Sequence, residues 1–376
     1  MSKTGNKLRI GIIFGGRSGE HDVSLQSAQS VMAALDQNKY EIIPIGISRT
    51  GRWLVGDVVS ALTEGKTAAK AALLPDPETP GLMQMVPPAS SQETADHLVP
   101  ISHLDVVFPV LHGTYGEDGT VQGLLELADI PYVGAGVVGS AVGMDKAIFK
   151  QVMAAANLPV LPWKLVLSSQ WQQQPDLILD QIEAELPYPI FTKPANLGSS
   201  VGIAKCRDRS ELAAGLDEAA RYDRRLVVEQ GIVARELEIA VLGNDTPQAS
   251  VIGEVRPRRD FYDYVAKYMV DGSEEESELF IPADLTPTQA AAVTKLALQA
   301  YRAIDCGGLG RVDLLLDKEH DELFINEINT IPGFTRISMY PKLWEASGLN
   351  YPDLLDRLID LALERHRVKM GLKREM

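Results

Sequence analysis

The segment Leu8-Arg9-Ile10-Gly11-Ile12-Ile13-Phe14, closed by Gly15-Gly16 and followed by a helical stretch at 23–35, constrains the fold more than any other part of the 376 residues. Val23, Ser27, Val31 and Leu35 fall on one stripe of that helix, so strand, glycine turn and helix read as a βα unit. Strand-like runs at 41–47 and 104–111 and a helix at 121–128 continue the alternation. Such alternation predicts a mostly parallel, helix-covered sheet. Between 60 and 100 the chain turns rich in Ala, Pro and Ser, with Pro75, Pro77, Pro80, Pro87 and Pro88, and reads as an irregular surface insertion of secondary functional weight.

Further on, one helix is expected to run over 139–157. Short strands at 161–167, 190–194, 201–206 and 226–230, interrupted by helices at 177–185 and 209–222, then suggest a small antiparallel α+β lobe. A third lobe follows, with strands at 236–242, 249–255, 310–316 and 323–328 and helices at 287–304 and 351–366. Within it, residues 268–278 carry Glu274-Glu275-Glu276, a composition suited to a mobile lid.

Fifty-one acidic against thirty-six basic residues give a formal charge of -15, which repels nucleic acid and anionic lipid alike. Cys206 and Cys306 stand a hundred residues apart with no CxxC spacing, so neither a disulfide framework nor a cysteine zinc site is indicated. The apolar run at 8–14 is too short for a signal-peptide core or a membrane span. A cytoplasmic protein without nucleic-acid or membrane partners is the expectation.

Two motifs invite other readings. Gly134-Ala135-Gly136-Val137-Val138-Gly139 matches the dinucleotide pattern, but residues 158–167 contain no acid to hold a ribose, and a tight turn capping a helix explains the glycines. Gly198-Ser199-Ser200-Val201-Gly202 matches a hydrolase elbow, yet 203–205 continues as a strand, and His320 and His366 are unpromising bases. A glycine and serine loop between strands serves equally as an anion-binding nest. A hydrolase built on Ser200 would need no nucleotide, and a non-catalytic nucleotide sensor would release no phosphate.

Two late strands carry polar residues where a core strand should not. Side chains alternate with period two, so Arg311 and Asp313 share one face of their strand, and Glu327 and Asn329 share one face of theirs. If these strands are neighbours, the face offers two carboxylates, an amide oxygen and a guanidinium, a hard-oxygen set suited to Mg²⁺ beside phosphate. The competing reading is a buried salt bridge of Arg311 with Asp313 or Glu327. It leaves Asn329, and the Pro332-Gly333 that follows, without a reason.

With that segment included, the chain resembles the D-alanine:D-alanine ligase family of ATP-grasp enzymes, in its longer A-type form. The matching segments are Phe14-Gly15-Gly16-Arg17-Ser18-Gly19-Glu20-His21, Leu111-His112-Gly113-Thr114-Tyr115-Gly116-Glu117-Asp118-Gly119, Met144-Asp145-Lys146, Lys193-Pro194, Gly198-Ser199-Ser200-Val201-Gly202, Phe261-Tyr262-Asp263-Tyr264, Gly310-Arg311-Val312-Asp313 and Asn326-Glu327-Ile328-Asn329-Thr330. They span nearly the whole chain in family order. The resemblance implies three domains of an α/β (α+β) fold: a Rossmann-like parallel sheet at 1–134, a central ATP-grasp domain at 135–231, and a C-terminal one at 232–376 with a lid at about 256–280. It further implies ATP, two Mg²⁺ ions for which Mn²⁺ can substitute, D-alanine as substrate, a homodimer, and ligation by way of an acyl phosphate for peptidoglycan precursors.

Residue by residue, the resemblance assigns Asp313, Glu327 and Asn329 to the metal ions and Lys146 and Lys193 to the ATP phosphates, with Ser199 and Ser200 in a loop closing over them. Glu229, Gln230, Gly231 and Ile232 match the adenine edge, Glu236 the ribose, and Phe261 and Leu315 the faces of the purine. Arg311 and the Gly333 N–H match an oxyanion hole. Glu20 matches the anchor of the first substrate's ammonium, and His112 lies near its carboxylate, while Lys267, Ser338 and Met339 match the second substrate's carboxylate pocket. Glu20, Ser199 and Tyr268 would form a triad pinning the lid, and the tyrosine favours dipeptide over depsipeptide, as with D-lactate. Val265 and Thr192 depart from the family pattern without touching an inferred ligand.

Overall fold

The computed structural model describes residues 7–79, 81–88, 96–198, 201–256 and 278–373. The opening apolar run forms β1 (Leu8–Gly15), flanked in parallel by β2 (Tyr40–Ile47) and β7 (Val106–Val110), with α1 (His21–Ala34) as the crossover. β1 is buried from Ile10 onward on both faces, as a helix-covered parallel strand must be. The insertion at 60–100 is not irregular. β3 (Trp53–Val55), α2 (Val58–Glu64), β4 (Ala69–Leu73), β5 (Leu82–Val86) and β6 (His97–Ser102) extend the sheet in antiparallel fashion, giving the order β6-β5-β4-β3-β2-β1-β7. Pro75 and Pro77 lie in the turn after β4, and Pro87 and Pro88 follow β5. Pro100 sits inside β6, where an edge strand with a register shift against Leu82 and Met83 tolerates a missing donor.

The helix expected over 139–157 is broken in two, after α3 (Thr120–Leu127), into α4 (Val137–Met144) and α5 (Lys146–Ala155). Asp145, at φ -90° and ψ 99°, leaves the helix and accepts from the Ala147 and Ile148 N–H groups at 3.1 and 3.0 Å. Its other oxygen pairs with the Arg225 guanidinium. An aspartate that can cap the next turn competes with the helix around it, and the break puts Lys146 at the first position of α5. The glycines of 134–139 serve turn and packing, since Gly134 has φ +101° and a Cβ on Gly139 would meet the Asp305 carbonyl at 2.9 Å.

A second sheet is antiparallel, in the order β10-β9-β11-β8, from β8 (Trp163–Leu167), β9 (Ile190–Pro194), β10 (Ala204–Cys206) and β11 (Arg225–Gln230). α6 (Ser168–Gln173), α7 (Pro175–Glu183) and α8 (Arg209–Ala220) cover it, burying Trp171, Ile182, Leu212 and Leu216 against Ile190, Leu226 and Val228. The third sheet runs β14-β13-β12-β15-β16, from β12 (Ala234–Leu242), β13 (Gln248–Arg256), β14 (Glu278–Phe280), β15 (Leu309–Asp317) and β16 (Leu323–Asn329). α9 (Pro287–Ala303) packs Val293, Ala297 and Tyr301 on one face of it, entered through a Thr286/Gln289 capping box.

α10 (Met339–Ala346) and α11 (Tyr351–Met370) close the chain. Leu354, Leu355, Leu358 and Ile359 of α11 share one core with Ile10, Ile12 and Phe14 of β1 and with Phe334. The first and third sheets are thereby joined by apolar packing rather than by a linker alone.

Asp145 supplies both a cap and a buried partner for Arg225. Asp145→Ala is expected to lower unfolding free energy by about 2–4 kcal/mol, more than a cap alone. Urea titration followed by circular dichroism reads it, and a loss below about 0.5 kcal/mol would show that the helix break does not depend on this carboxylate.

Candidate active site

A cavity of about 530 Å³ opens where the three sheets meet. Its wall on the third sheet carries Arg311, Glu327 and Asn329 of the polar face read from the sequence, while Asp313 is not among the lining residues. β15 and β16 are antiparallel neighbours, with Arg311 opposite Asn329 and Asp313 opposite Glu327. The register then slips so that Leu314 faces Ile325, leaving Asn326 as a bulged residue beside Glu327. The Arg311 guanidinium forks onto Asp313 at 2.7 and 2.6 Å, and its Nε stands 3.0 Å from Glu238. Asn329 Nδ2 donates to Asp313 at 2.9 Å. The salt bridge weighed against the metal reading is therefore present, and the amide of Asn329 joins it on Asp313. Burial alone would push the Arg311 guanidinium down, but Asp313 and Glu238 hold it well above its ordinary value. Glu238, not singled out in the sequence, was findable: it alternates with Glu236 on β12 and lies opposite Asp313.

On the second sheet, Lys146 Nζ donates to the Leu197 carbonyl at 2.5 Å, and Lys193 Nζ donates to Glu229 at 2.5 Å. The other Glu229 oxygen is taken by Lys150, which no motif or spacing marks. Burial would raise the Glu229 carboxyl, but the two lysines outweigh it and hold it at about 2. The Gln230 and Gly231 N–H groups are committed to the Pro162 and Pro189 carbonyls at 3.0 and 2.7 Å. Of the residues matched to the nucleotide, Lys146, Lys193, Glu229, Gln230, Gly231, Ile232, Glu236, Leu315 and Asn329 all line the cavity, and Phe191, Lys205 and Lys318 join them unexpected.

The first sheet contributes Glu20, which precedes α1, and His112 after β7. Cβ atoms placed on Gly113 and Gly198 would come within 2.6 and 2.9 Å of the Glu20 carboxylate and would push it aside, and Gly113 is further held to glycine by φ +77°. His112 Nδ1 lies 2.9 Å from the Ile331 carbonyl, which can only accept, so that nitrogen carries the proton. Burial pushes the imidazole below its ordinary value, which leaves Nε2 as an acceptor for the Ser27 hydroxyl at 3.1 Å; Ser27 in turn accepts from the Phe334 N–H at 3.3 Å. Glu117, buried nearby, accepts from the Gly113 N–H at 2.7 Å and the Ile331 N–H at 3.0 Å. His112 and Glu117 thus hold the carbonyl and the N–H of Ile331, at the start of the turn that carries Gly333. Glu117 stood in the quoted motif without a role, because only its burial reveals one.

Ser338 and Met339 are not on the cavity wall. Ser338 Oγ accepts from the Thr335 N–H at 3.1 Å and sits 3.1 Å from where a Cβ on Gly333 would lie. Ser199, Ser200, Phe261, Lys267 and Tyr268 fall outside the described residues, as do Val265 and most of the expected lid. No group of three or more His, Cys, Asp or Glu side chains able to hold a metal occurs among the described residues. The hard-oxygen set consists of two carboxylates and one amide.

Three sheets closing on a cavity lined by lysines and facing carboxylates define the ATP-grasp class. Residues 9–135 match the family described as D-ala D-ala ligase N-terminus, and residues 152–360 the D-ala D-ala ligase C-terminus. The D-alanine--D-alanine ligase of Heliobacterium modesticaldum is 51% identical over 366 residues, covering 96% of each chain. Among solved structures, the D-alanine-D-alanine ligase of Coxiella burnetii is 36% identical with a TM-score of 0.77, covering 97% of this chain and 96% of that one. The VanG D-Ala:D-Ser ligase of Enterococcus faecalis is 34% identical with a TM-score of 0.81, covering 95% and 100%. The chain belongs to the D-alanine–D-alanine ligase family.

Burial, with a smaller push from Glu20, raises the Glu117 carboxyl from 4.5 to about 8. Between those values the folded protein holds a proton that the unfolded chain releases, so this contribution to stability is full below pH 4.5 and lost as pH rises through about 8. Glu117→Gln removes it. The wild type is expected to lose more melting temperature than the variant between about pH 6 and about pH 9, and parallel curves in a thermal scan would take the proton off Glu117.

Proposed function

We propose that the protein joins two molecules of D-alanine into D-alanyl-D-alanine at the expense of ATP, supplying a peptidoglycan precursor. The observation that carries this reading is Glu327, paired across the strands with Asp313, lining a cavity together with Arg311, Asn329, Lys146, Lys193, Glu20 and Gly333, in a chain of this family. Domains divided at 134/135 and 231/232 fit it, since each range holds the strands of one sheet.

In this reading Lys146 and Lys193 take the ATP phosphates, Glu229 and the Ile232 N–H the adenine edge, Glu236 the ribose and Leu315 one face of the purine. The donor set suits a divalent cation. Asp313, Glu327 and Asn329 present hard oxygens within one strand pair, too few to complete a shell without phosphate oxygens. Magnesium held there would neutralise charge on the transferring phosphoryl group. Two Mg²⁺ ions suit that all-oxygen set with phosphate oxygens completing it, and Mn²⁺, which takes the same ligands, would serve in their place.

Glu20 holds the first D-alanine by its ammonium, and Lys267, Ser338 and the Met339 N–H receive the carboxylate of the second. The terminal phosphoryl group of ATP passes to the first substrate's carboxylate, and ADP leaves. The second amine then attacks that carbon, and phosphate departs. Arg311 spends two of its five N–H donors on Asp313 and keeps others for the oxygen that becomes negative, opposite the Gly333 N–H. Tyr268 with Ser199 and Glu20 secures the lid and sets the choice of second substrate. A homodimer and a cytoplasmic location belong to the same reading, and no described helix is long and apolar enough to cross a membrane.

Similarity to a structure named as a D-Ala:D-Ser ligase favours one second reading, a different second substrate on the same scaffold. Phosphate release and product analysis with D-alanine, D-serine, D-lactate or L-alanine, singly and in pairs, separate the two. Dipeptide from D-alanine alone is expected, whereas phosphate release that needs D-serine or D-lactate would replace the main reading.

Glu327→Gln should abolish turnover in a folded protein because an anionic ligand is lost, and near-normal phosphate release at saturating Mg²⁺ would remove Glu327 from the metal site. Arg311→Lys exchanges a planar fork for a point charge, so kcat should fall by roughly a hundredfold. A change below about fivefold would leave Arg311 a structural ion-pair partner only.

A further inference from the structure

Lys150 lies on α5 one helical turn beyond Lys146 and is buried together with Glu229, the side chains being 3% and 2% exposed. It does not line the cavity, whereas Glu229 and Lys193 do. One carboxylate thus serves two ammonium groups: Lys150 holds Oε1 from behind, and Lys193 holds Oε2 from the cavity side at 2.5 Å. Burial pushes Lys150 below its ordinary value, partly countered by Glu229, with Lys193 adding to the downward push. Lys193 is held above its own by Glu229 despite burial. A carboxylate has a fixed capacity for charge-assisted bonds, and the fewer cations share it, the more firmly each is kept.

We propose that Lys150 is a positioning residue that occupies half of Glu229, so that Lys193 stays free enough to turn to the phosphates of a nucleotide in the cavity. The inference rests on the nucleotide reading above but is separable from it. Without Lys150, Glu229 would have Lys193 as its sole cation and would keep it from the phosphates. Adenosine, which has no phosphate for Lys193 to meet, reads the adenine-edge contact of Glu229 by itself. Lys150→Met leaves a charge-balanced Lys193–Glu229 pair, so the variant is expected to fold.

The test is calorimetric titration of the full chain with ADP and, separately, with adenosine. Lys150→Met should weaken ADP by about tenfold, the loss of one charge-assisted contact, and leave adenosine within about twofold. Adding Glu229→Gln releases Lys193 from a full anionic charge, and because that change also touches the adenine edge, the double variant should recover ADP affinity measured against its own adenosine affinity. A merely structural role would be worsened, not repaired, by that second change. ADP affinity equal to wild type in Lys150→Met, equal losses of ADP and adenosine, or no recovery in the double variant would each overturn the proposal. If Lys150→Met does not fold, Lys150→Gln, which keeps a donor but no charge, reads the same comparison. A wild type that binds no ADP would overturn the nucleotide reading itself, and this inference with it.

Discussion

The turn from Ile331 to Phe334 is where the molecule is held together. Its backbone is gripped from the first sheet by His112, Glu117 and Ser27, and its one large side chain, Phe334, enters the core that β1 shares with α11. Phe334 meets Phe108 edge-on at 5.9 Å, and its carbonyl accepts from the Tyr351 hydroxyl at 2.6 Å. Hydrogen bonds fix direction and apolar packing fixes depth. Because Gly333 belongs to the same turn, the geometry of any donor it offers is set by the first sheet rather than by the strand it follows.

Around that turn the charges lie in groups. Lys193 of the second sheet and Lys146 at the start of α5 bring ammonium groups, with Glu229 between Lys193 and Lys150; the third sheet brings Glu236 and Glu327 beside Arg311, and the first lobe the buried acids Glu20 and Glu117. A chain with a formal charge of -15 therefore concentrates cations where a polyanion would lie and anions where an amino group would lie.

Much of this was legible in the sequence because strand periodicity is a local property. The polar faces of β15 and β16 could be read from alternate positions, and pairing them required only that neighbours in sequence be neighbours in space. The antiparallel extension β3 to β6 is hard to see in the sequence because prolines look like breaks. In the structure Pro75 and Pro77 sit in the turn after β4, Pro87 and Pro88 follow β5, and Pro100 lies in an edge strand. The split between α4 and α5 is hard to read from periodicity because the apolar stripe runs on through Asp145, whose cap and distant partner Arg225 carry no periodic signal. Lys150 and Glu117 were silent for a different reason: a lysine or glutamate acquires meaning from burial, which no spacing rule reports.

The placement of α11 has a consequence for how the molecule is made. A ribosome delivers β1, α1 and β2 early, yet the apolar side chains that seal one face of their sheet arrive with Leu354 to Ala362, nearly a whole chain later. Until then the nascent first lobe carries a bare hydrophobic face, the kind of surface that recruits chaperones or aggregates. Truncation within the final helix would accordingly injure the earliest part of the protein to be synthesised, far from the cut in sequence and adjacent to it in space.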